Sequence, residues 1–217
     1  MTKTKTRTFP IATEGFPYVF AGIGATLLSL LFGLTSITVF FGLVTVFVLQ
    51  FFRNPNRKGS QEEGVILSPA DGEIISVELI QEDRFLKDKA IKISIFMNVF
   101  NVHVNRAPYS GVVKKISYTR GKFFAANAEK ASLENEQNAI LLETDKGKKI
   151  LFIQIAGLIA RRIICYAKEG DRLEKGERCG IIKFGSRVDL YLPSDSKVAV
   201  KAKEKVKGGE TVIGVLS

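Results

Sequence analysis

The sequence predicts a mainly β protein carried behind an N-terminal transmembrane α-hairpin. Three observations predict it. Gly15 to Phe52 holds no charged residue, a run of 38 positions, where about 20 suffice for one crossing. From Val65 onward, short apolar or alternating runs are punctuated by glycine. They give candidate strands at 65–67, 73–80, 90–97, 111–120, 138–144, 148–156, 162–169, 178–183 and 187–192, the pattern of a barrel or sandwich. Two turn patterns also recur. Pro69-Ala70-Asp71-Gly72 and Pro108-Tyr109-Ser110-Gly111 each set glycine three residues after proline at the mouth of a strand. Gly176-Glu177-x-x-Gly180 is loosely echoed by Gly209-Glu210-x-x-x-Gly214. Such echoes suggest a duplicated β-hairpin design.

Taken in order, residues 1–14 form a basic tail with Lys3, Lys5 and Arg7. Gly33 and Thr35-Ser36 interrupt the uncharged run, so helices are expected over about 17–33 and 36–52, with Pro17 opening the first. A single tilted helix is the alternative. Both flanks are basic, with Arg53, Arg57 and Lys58 on the far side. The positive-inside tendency then keeps both ends, and the domain that follows, in the cytoplasm. Phe16, Tyr18, Phe51 and Phe52 fall near one interface. Residues 53–64 read as a polar linker and 65–217 as the β-rich domain, with 123–134 as helix or loop. The net charge is +10. With no nucleic-acid-binding signature beside it, that excess suits an anionic membrane surface. Cys165 and Cys179 have no metal spacing, and with one histidine they cannot complete a four-ligand zinc site. A reduced, buried pair is expected.

The residues with chemical promise lie apart in sequence. Gly185-Ser186 falls at a kink between Ile181-Ile182-Lys183-Phe184 and the alternating Val188-x-Leu190-x-Leu192. The glycine carbonyl is open to attack and the next hydroxyl is its nearest nucleophile, so an N-to-O acyl shift is possible; an ordinary turn is the plain reading. His103 is the sole histidine. If its run is extended, Asn101, His103 and Asn105 share one face. Asp71 precedes Gly72, a common hairpin pair. Glu134–Asn138 is a polar cluster, and Arg161-Arg162 is either an anion-binding pair or a surface pair.

Phe184 to Asp189 reproduces without a gap the Phe-Gly-Ser-Arg-Val-Asp motif of short-form phosphatidylserine decarboxylases. The histidine segment and the blocks from Gly121 and Gly157 also resemble that family, in order, across 54–193. The resemblance implies a duplicated barrel-sandwich fold of biotinyl/lipoyl type. It implies a proenzyme cut between Gly185 and Ser186 into a β chain, 1–185, and an α chain, 186–217, that remain a heterodimer. Ser186 becomes a pyruvoyl group that forms a Schiff base with phosphatidylserine in the membrane; neither pyridoxal phosphate nor a metal is needed. His103 acts as base with Asp71 behind it, and Asn105, Arg106, Glu136 and Arg161 bind substrate. Arg162 competes with Arg161 for that role. Many longer members carry a second histidine three residues after the first, where this chain has Arg106. Decarboxylation of another serine phospholipid, or a membrane-tethered adaptor without catalysis, are the rival readings.

Overall fold

The computed structural model describes residues 9–121, 135–157, 162–183 and 186–217. The segment 123–134, Phe184, Gly185 and Arg161 therefore lie outside the described residues. The chain divides into two compact units between Asn56 and Arg57.

The first unit holds two helices, α1 (Phe16–Leu31) and α2 (Thr35–Phe51). A 3-10 turn at Thr13–Gly15 leads into α1. Pro17 sits in the first helical turn, where a missing N–H breaks no intrahelical bond. Gly33, at φ +68, makes the reversal, a conformation that glycine adopts without steric penalty. The helices pack antiparallel. The Thr38 hydroxyl donates to Ser29 Oγ at 3.0 Å, and a Cβ on Gly22 would lie 2.4 Å from Thr45 Oγ1. Small residues thus set the close approach. The segment Thr13–Leu31 is long and apolar enough to cross a membrane, and Thr35–Phe51 is a shorter apolar helix. Phe20, Leu31, Phe32, Leu43 and Val46 face outward.

The second unit is mainly β. Its strands are β1 (Val65–Leu67), β2 (Gly72–Glu82), β3 (Asp88–Met97), β4 (Val104–Arg106), β5 (Gly111–Thr119), β6 (Gln137–Glu143) and β7 (Lys149–Ala156). They continue with β8 (Ile163–Cys165), β9 (Arg172–Leu173), β10 (Arg178–Ile182), β11 (Ser186–Pro193), β12 (Lys197–Val198), β13 (Lys205–Val206) and β14 (Val212–Val215). Among the described residues, eight form one sheet in the order β13-β2-β3-β11-β7-β6-β5-β9. Two three-stranded sheets, β1-β14-β12 and β4-β10-β8, complete the unit. The main core takes Ile93, Ile95, Phe152 and Leu190 from the large sheet, Ile66 and Ile213 from one small sheet, and Cys179 and Ile182 from the other. Both small sheets therefore cover the same face of the large one. The proline–glycine turns do open strands: Gly72 begins β2 and Gly111 begins β5. Gly72 is also a close crossing, since a Cβ there would lie 2.1 Å from Phe96 O. The unit begins at Arg57, within the segment read as a linker. The Arg57 guanidinium pairs with Asp71 and Glu210 at 2.9 and 2.8 Å. Cys165 and Cys179 are free thiols, Cys179 buried and Cys165 half-buried.

Strand β11 fixes the site. It lies between β3 and β7, antiparallel to both, so residues from late in the chain form the middle of the sheet. The alternation of Val188, Leu190 and Leu192 with polar residues does not separate a buried face from an exposed one. Arg187, Asp189 and Tyr191 are as buried as Val188, Leu190 and Leu192, because a second apolar cluster of Leu151, Ile153, Ile155 and Tyr191 lines the opposite face. Arg187 and Asp189 can be buried there because they pair, Nε to Oδ1 at 2.8 Å, with Lys92 Nζ 3.7 Å from the same carboxylate. Removing one member of a buried pair leaves a charge in a poor solvent. Asp189→Ala should accordingly destabilise this unit by about 3 kcal/mol, measured as a lower midpoint in urea; an unchanged midpoint would contradict a structural role for the pair.

Candidate active site

Ser186 is the first residue of β11, directly opposite Met97 at the end of β3 and Ala156 at the end of β7. It has no exposed surface. Its hydroxyl donates to Met97 Sδ at 3.3 Å. Both neighbouring strands end where β11 begins, so the serine stands at one end of the sheet, at the edge of its main core.

His103 reaches the same end through the small sheet β4-β10-β8. Its carbonyl accepts the Ile182 N–H at 3.3 Å, and Val104 pairs with Ile181. The histidine is fully buried. Its Nδ1 lies 3.0 Å from the Asn101 carbonyl. A carbonyl can only accept, so Nδ1 carries the proton and Nε2 is the basic nitrogen of the neutral ring. The expected shared face of Asn101, His103 and Asn105 does not form at its first member. Asn101 closes a turn, its Oδ1 accepting the Asn98 N–H at 2.9 Å, and the extended chain starts only at Val104. Asn105 is fully buried with its amide committed to other side chains. Its Oδ1 accepts from Gln154 Nε2 at 2.9 Å, and its Nδ2 lies 3.7 Å from Met97 Sδ.

Asp71 lies in the turn before β2. Among the described residues its hydrogen bonds go to the Arg57 guanidinium at 2.9 Å and the Gly208 N–H at 2.8 Å. The same turn meets β4, because the Arg106 N–H donates to Pro69 O at 2.9 Å. Arg106 is buried and donates to the Gly176 carbonyl at 2.9 Å. Burial, then the neighbouring Arg178 and Arg57, pull its guanidinium down to about 10, while Asp71 acts in the opposite direction. Asp71 and Arg106 are thus brought together in one cluster, where Arg57 pairs with Asp71 and Glu210 and lies near Arg106 with Arg178. Glu136 is also buried, with Oε1 accepting the Ile163 N–H at 3.2 Å. The Tyr118 phenol is raised first by burial and then by the nearby Glu136, against the pull of Arg120 and Arg162. Gly185 and Arg161 lie outside the described residues; Arg162 is described and exposed.

Met97 and Gln154, which the sequence did not single out, join this site with Asn138 of the expected polar cluster. Met97 touches the Ser186 hydroxyl. Gln154 Oε1 accepts from Asn138 Nδ2 at 2.9 Å, linking both amides to Asn105. A signal for the amides was present. Gln154 interrupts Ile150-Leu151-Phe152-Ile153 and Ile155-Ala156, and an amide inside a buried strand must find partners.

Ser186 and His103 are both fully buried, and the histidine has a defined basic nitrogen. Comparison with known proteins gives the class. Residues 44–214 match the family model described as phosphatidylserine decarboxylase. A phosphatidylserine decarboxylase proenzyme of Desulfotalea psychrophila is 48% identical over 205 residues, covering 94% of this chain and 96% of the relative. The proenzyme so named from Syntrophus aciditrophicus is 50% identical with the same coverage. That of Pelobacter propionicus is 47% identical over 219 residues, covering 98% and 99%. This chain belongs to the phosphatidylserine decarboxylase family and is an enzyme of that kind, which leaves the adaptor reading without support.

Proposed function

We propose that this chain is a proenzyme that cuts itself between Gly185 and Ser186 and then converts phosphatidylserine to phosphatidylethanolamine and CO2. The observation that carries the reading is Ser186. It is a buried serine at the first position of a central strand, directly after a glycine, in a family whose curated relatives are named proenzymes. In this reading the Ser186 hydroxyl attacks the Gly185 carbonyl and His103 Nε2 takes its proton. The hydrogen bond from Nδ1 to Asn101 holds the ring in the tautomer that a base needs. Asp71 supplies negative charge at this end of the sheet, anchored by Arg57 and Gly208 N–H.

The residues around Ser186 suit a small ketone in its place. Met97 and Ala156 flank the position, and neither presents a nucleophile. A pyruvoyl group formed there would supply an electron sink for loss of CO2, which no standard side chain offers. Arg106, with Arg57 and Arg178 beside it, and Arg161 are the candidates for an anionic headgroup, and Glu136 for its amine. Asn105 fits better as support beneath Ser186, since its amide is already committed.

The two cut chains are expected to stay together as a heterodimer. The α chain would keep β11 between β3 and β7, β13 on β2, and β14 on β1. Two small sheets on one face of a curled large sheet, with paired turn-to-strand entries, support a barrel-sandwich of duplicated design. The outward apolar surface of α1 and α2 supports a membrane hairpin. The basic residues at both its ends support a cell-membrane location with the catalytic unit on the cytoplasmic side. The protein should then stay in the membrane pellet through carbonate and high salt. Release by salt alone would mean an electrostatic attachment.

The reading is tested by incubating the purified full chain with phosphatidylserine labelled at the serine carboxyl, without added pyridoxal phosphate or metal. Labelled CO2 should be released by material that intact mass shows to be two polypeptides. Cut protein that releases none would overturn the proposed reaction.

A further inference from the structure

Buried hydroxyls commonly settle on a backbone oxygen or water. The Ser186 hydroxyl settles on a thioether, Met97 Sδ at 3.3 Å, which is a weak acceptor. That sulfur is itself braced. Asn105 Nδ2 lies 3.7 Å from it, Gln154 Nε2 donates to Asn105 Oδ1, and Asn138 Nδ2 donates to Gln154 Oε1. All four residues are at most 2% exposed. The network ties the ends of β3, β4, β6 and β7 to the first residue of β11. The backbone leaves room for it at Gly180, where a Cβ would stand 2.8 Å from Gln154 Nε2.

We propose that Met97 is a positioning residue for the self-cleavage. Its sulfur fixes the Ser186 hydroxyl while leaving the proton easy to remove. Together with the amide chain behind it, the side chain keeps water from the ester that the acyl shift produces. The proposal rests on the function given above. In the shift, Ser186 Oγ bonds to the Gly185 carbonyl carbon, the carbon–nitrogen bond breaks, and the hydroxyl proton passes to the freed amine. The ester then has two fates. In elimination, the Cα proton is lost, the Cβ–Oγ bond breaks and Gly185 leaves as a carboxylate. The enamine left behind takes up water and releases ammonia, which gives the ketone. In hydrolysis, water adds at the ester carbonyl and the acyl–oxygen bond breaks, leaving Gly185 as a carboxylate and an intact serine at the start of the α chain. Each route consumes one water, and the products differ by one ammonia. A strong acceptor at position 97 would hold the hydroxyl proton back, and a group that accepts nothing would free the Asn105 N–H to hold a water beside the ester. A thioether of this size does neither.

The sequence makes an unusually clean test possible, because it has only two methionines, Met1 and Met97. Growth with norleucine in place of methionine exchanges the sulfur at 97 for a methylene of nearly the same volume, and its one other change is at residue 1. Scission of the full chain is followed by intact mass over time, in parallel with Met97→Leu. The norleucine protein should cut more slowly by roughly three- to tenfold, the worth of one ordinary hydrogen bond. A fraction of its α chains should be heavier by one ammonia, which marks an N-terminal serine. Met97→Leu should show the same two changes, and the norleucine protein carries the test if the leucine variant does not fold. The serine terminus reports the fate of the ester, which a mere loss of stability does not redirect. A norleucine protein that cuts at the normal rate to ketone-ended α chains alone would overturn the role of Met97 and leave the function standing. A methionine-containing protein that is never cut would overturn both.

Discussion

Ser186→Ala should leave a single uncut polypeptide without decarboxylase activity. The change removes one oxygen from a fully buried position between Met97 and Ala156. The backbone pairing of β11 with β3 and β7 does not involve that oxygen, so the variant should fold. What disappears is the nucleophile, and no other hydroxyl is attached to the residue that follows Gly185. The expected effect is total, because the same atom opens the peptide bond and its residue becomes the electrophile. Denaturing mass spectrometry and CO2 release, run on the same preparation, read both consequences. A cut Ser186→Ala chain would move the scission to another bond. An uncut but active one would remove the pyruvoyl group from the chemistry.

His103→Ala should slow scission by about 10²–10⁴-fold, the usual worth of a positioned base. The ring is buried and its tautomer is set by the Asn101 carbonyl, so its basic nitrogen is defined before reaction. The variant should fold if the backbone bond from Ile182 to the His103 carbonyl persists, which circular dichroism can check. Time courses of intact mass after synthesis measure the rate directly. Wild-type scission in His103→Ala would mean that the histidine serves only later or not at all, and Arg106 would become the next group to test.

Much of the β-rich unit was legible in the sequence, because its long strands carry their own signals. β2, β3, β5, β6 and β7 are apolar or alternating runs bounded by glycine, proline or charged turns, and they form close to where the pattern sets them. The helical pair was legible for the same local reason, with Gly33 marking its turn. β4, β9, β12 and β13 were not, because two or three residues carry no periodicity. They are strands only because a partner lies beside them. The site divides in the same way. Ser186 and His103 stood out by type and by motif. Met97 did not, since its meaning depends on a residue 89 positions away. Asp71 was read as the partner of His103 from an analogy of roles, whereas its hydrogen bonds among the described residues go to Arg57 and to Gly208, 137 positions on. Arg187 and Asp189 alternate with the apolar residues of β11, and the second apolar cluster on their face explains why they are buried as a pair.

Reductive trapping reads the reacting atom itself. Cyanoborohydride is added to the processed enzyme while it turns over phosphatidylserine, and the chains are then mapped by mass. The lipid amine should become covalently attached at residue 186, the first of the α chain, and activity should fall in proportion to the labelled fraction. Attachment to a lysine of the β chain, or turnover that continues undiminished after trapping, would contradict a pyruvoyl group there.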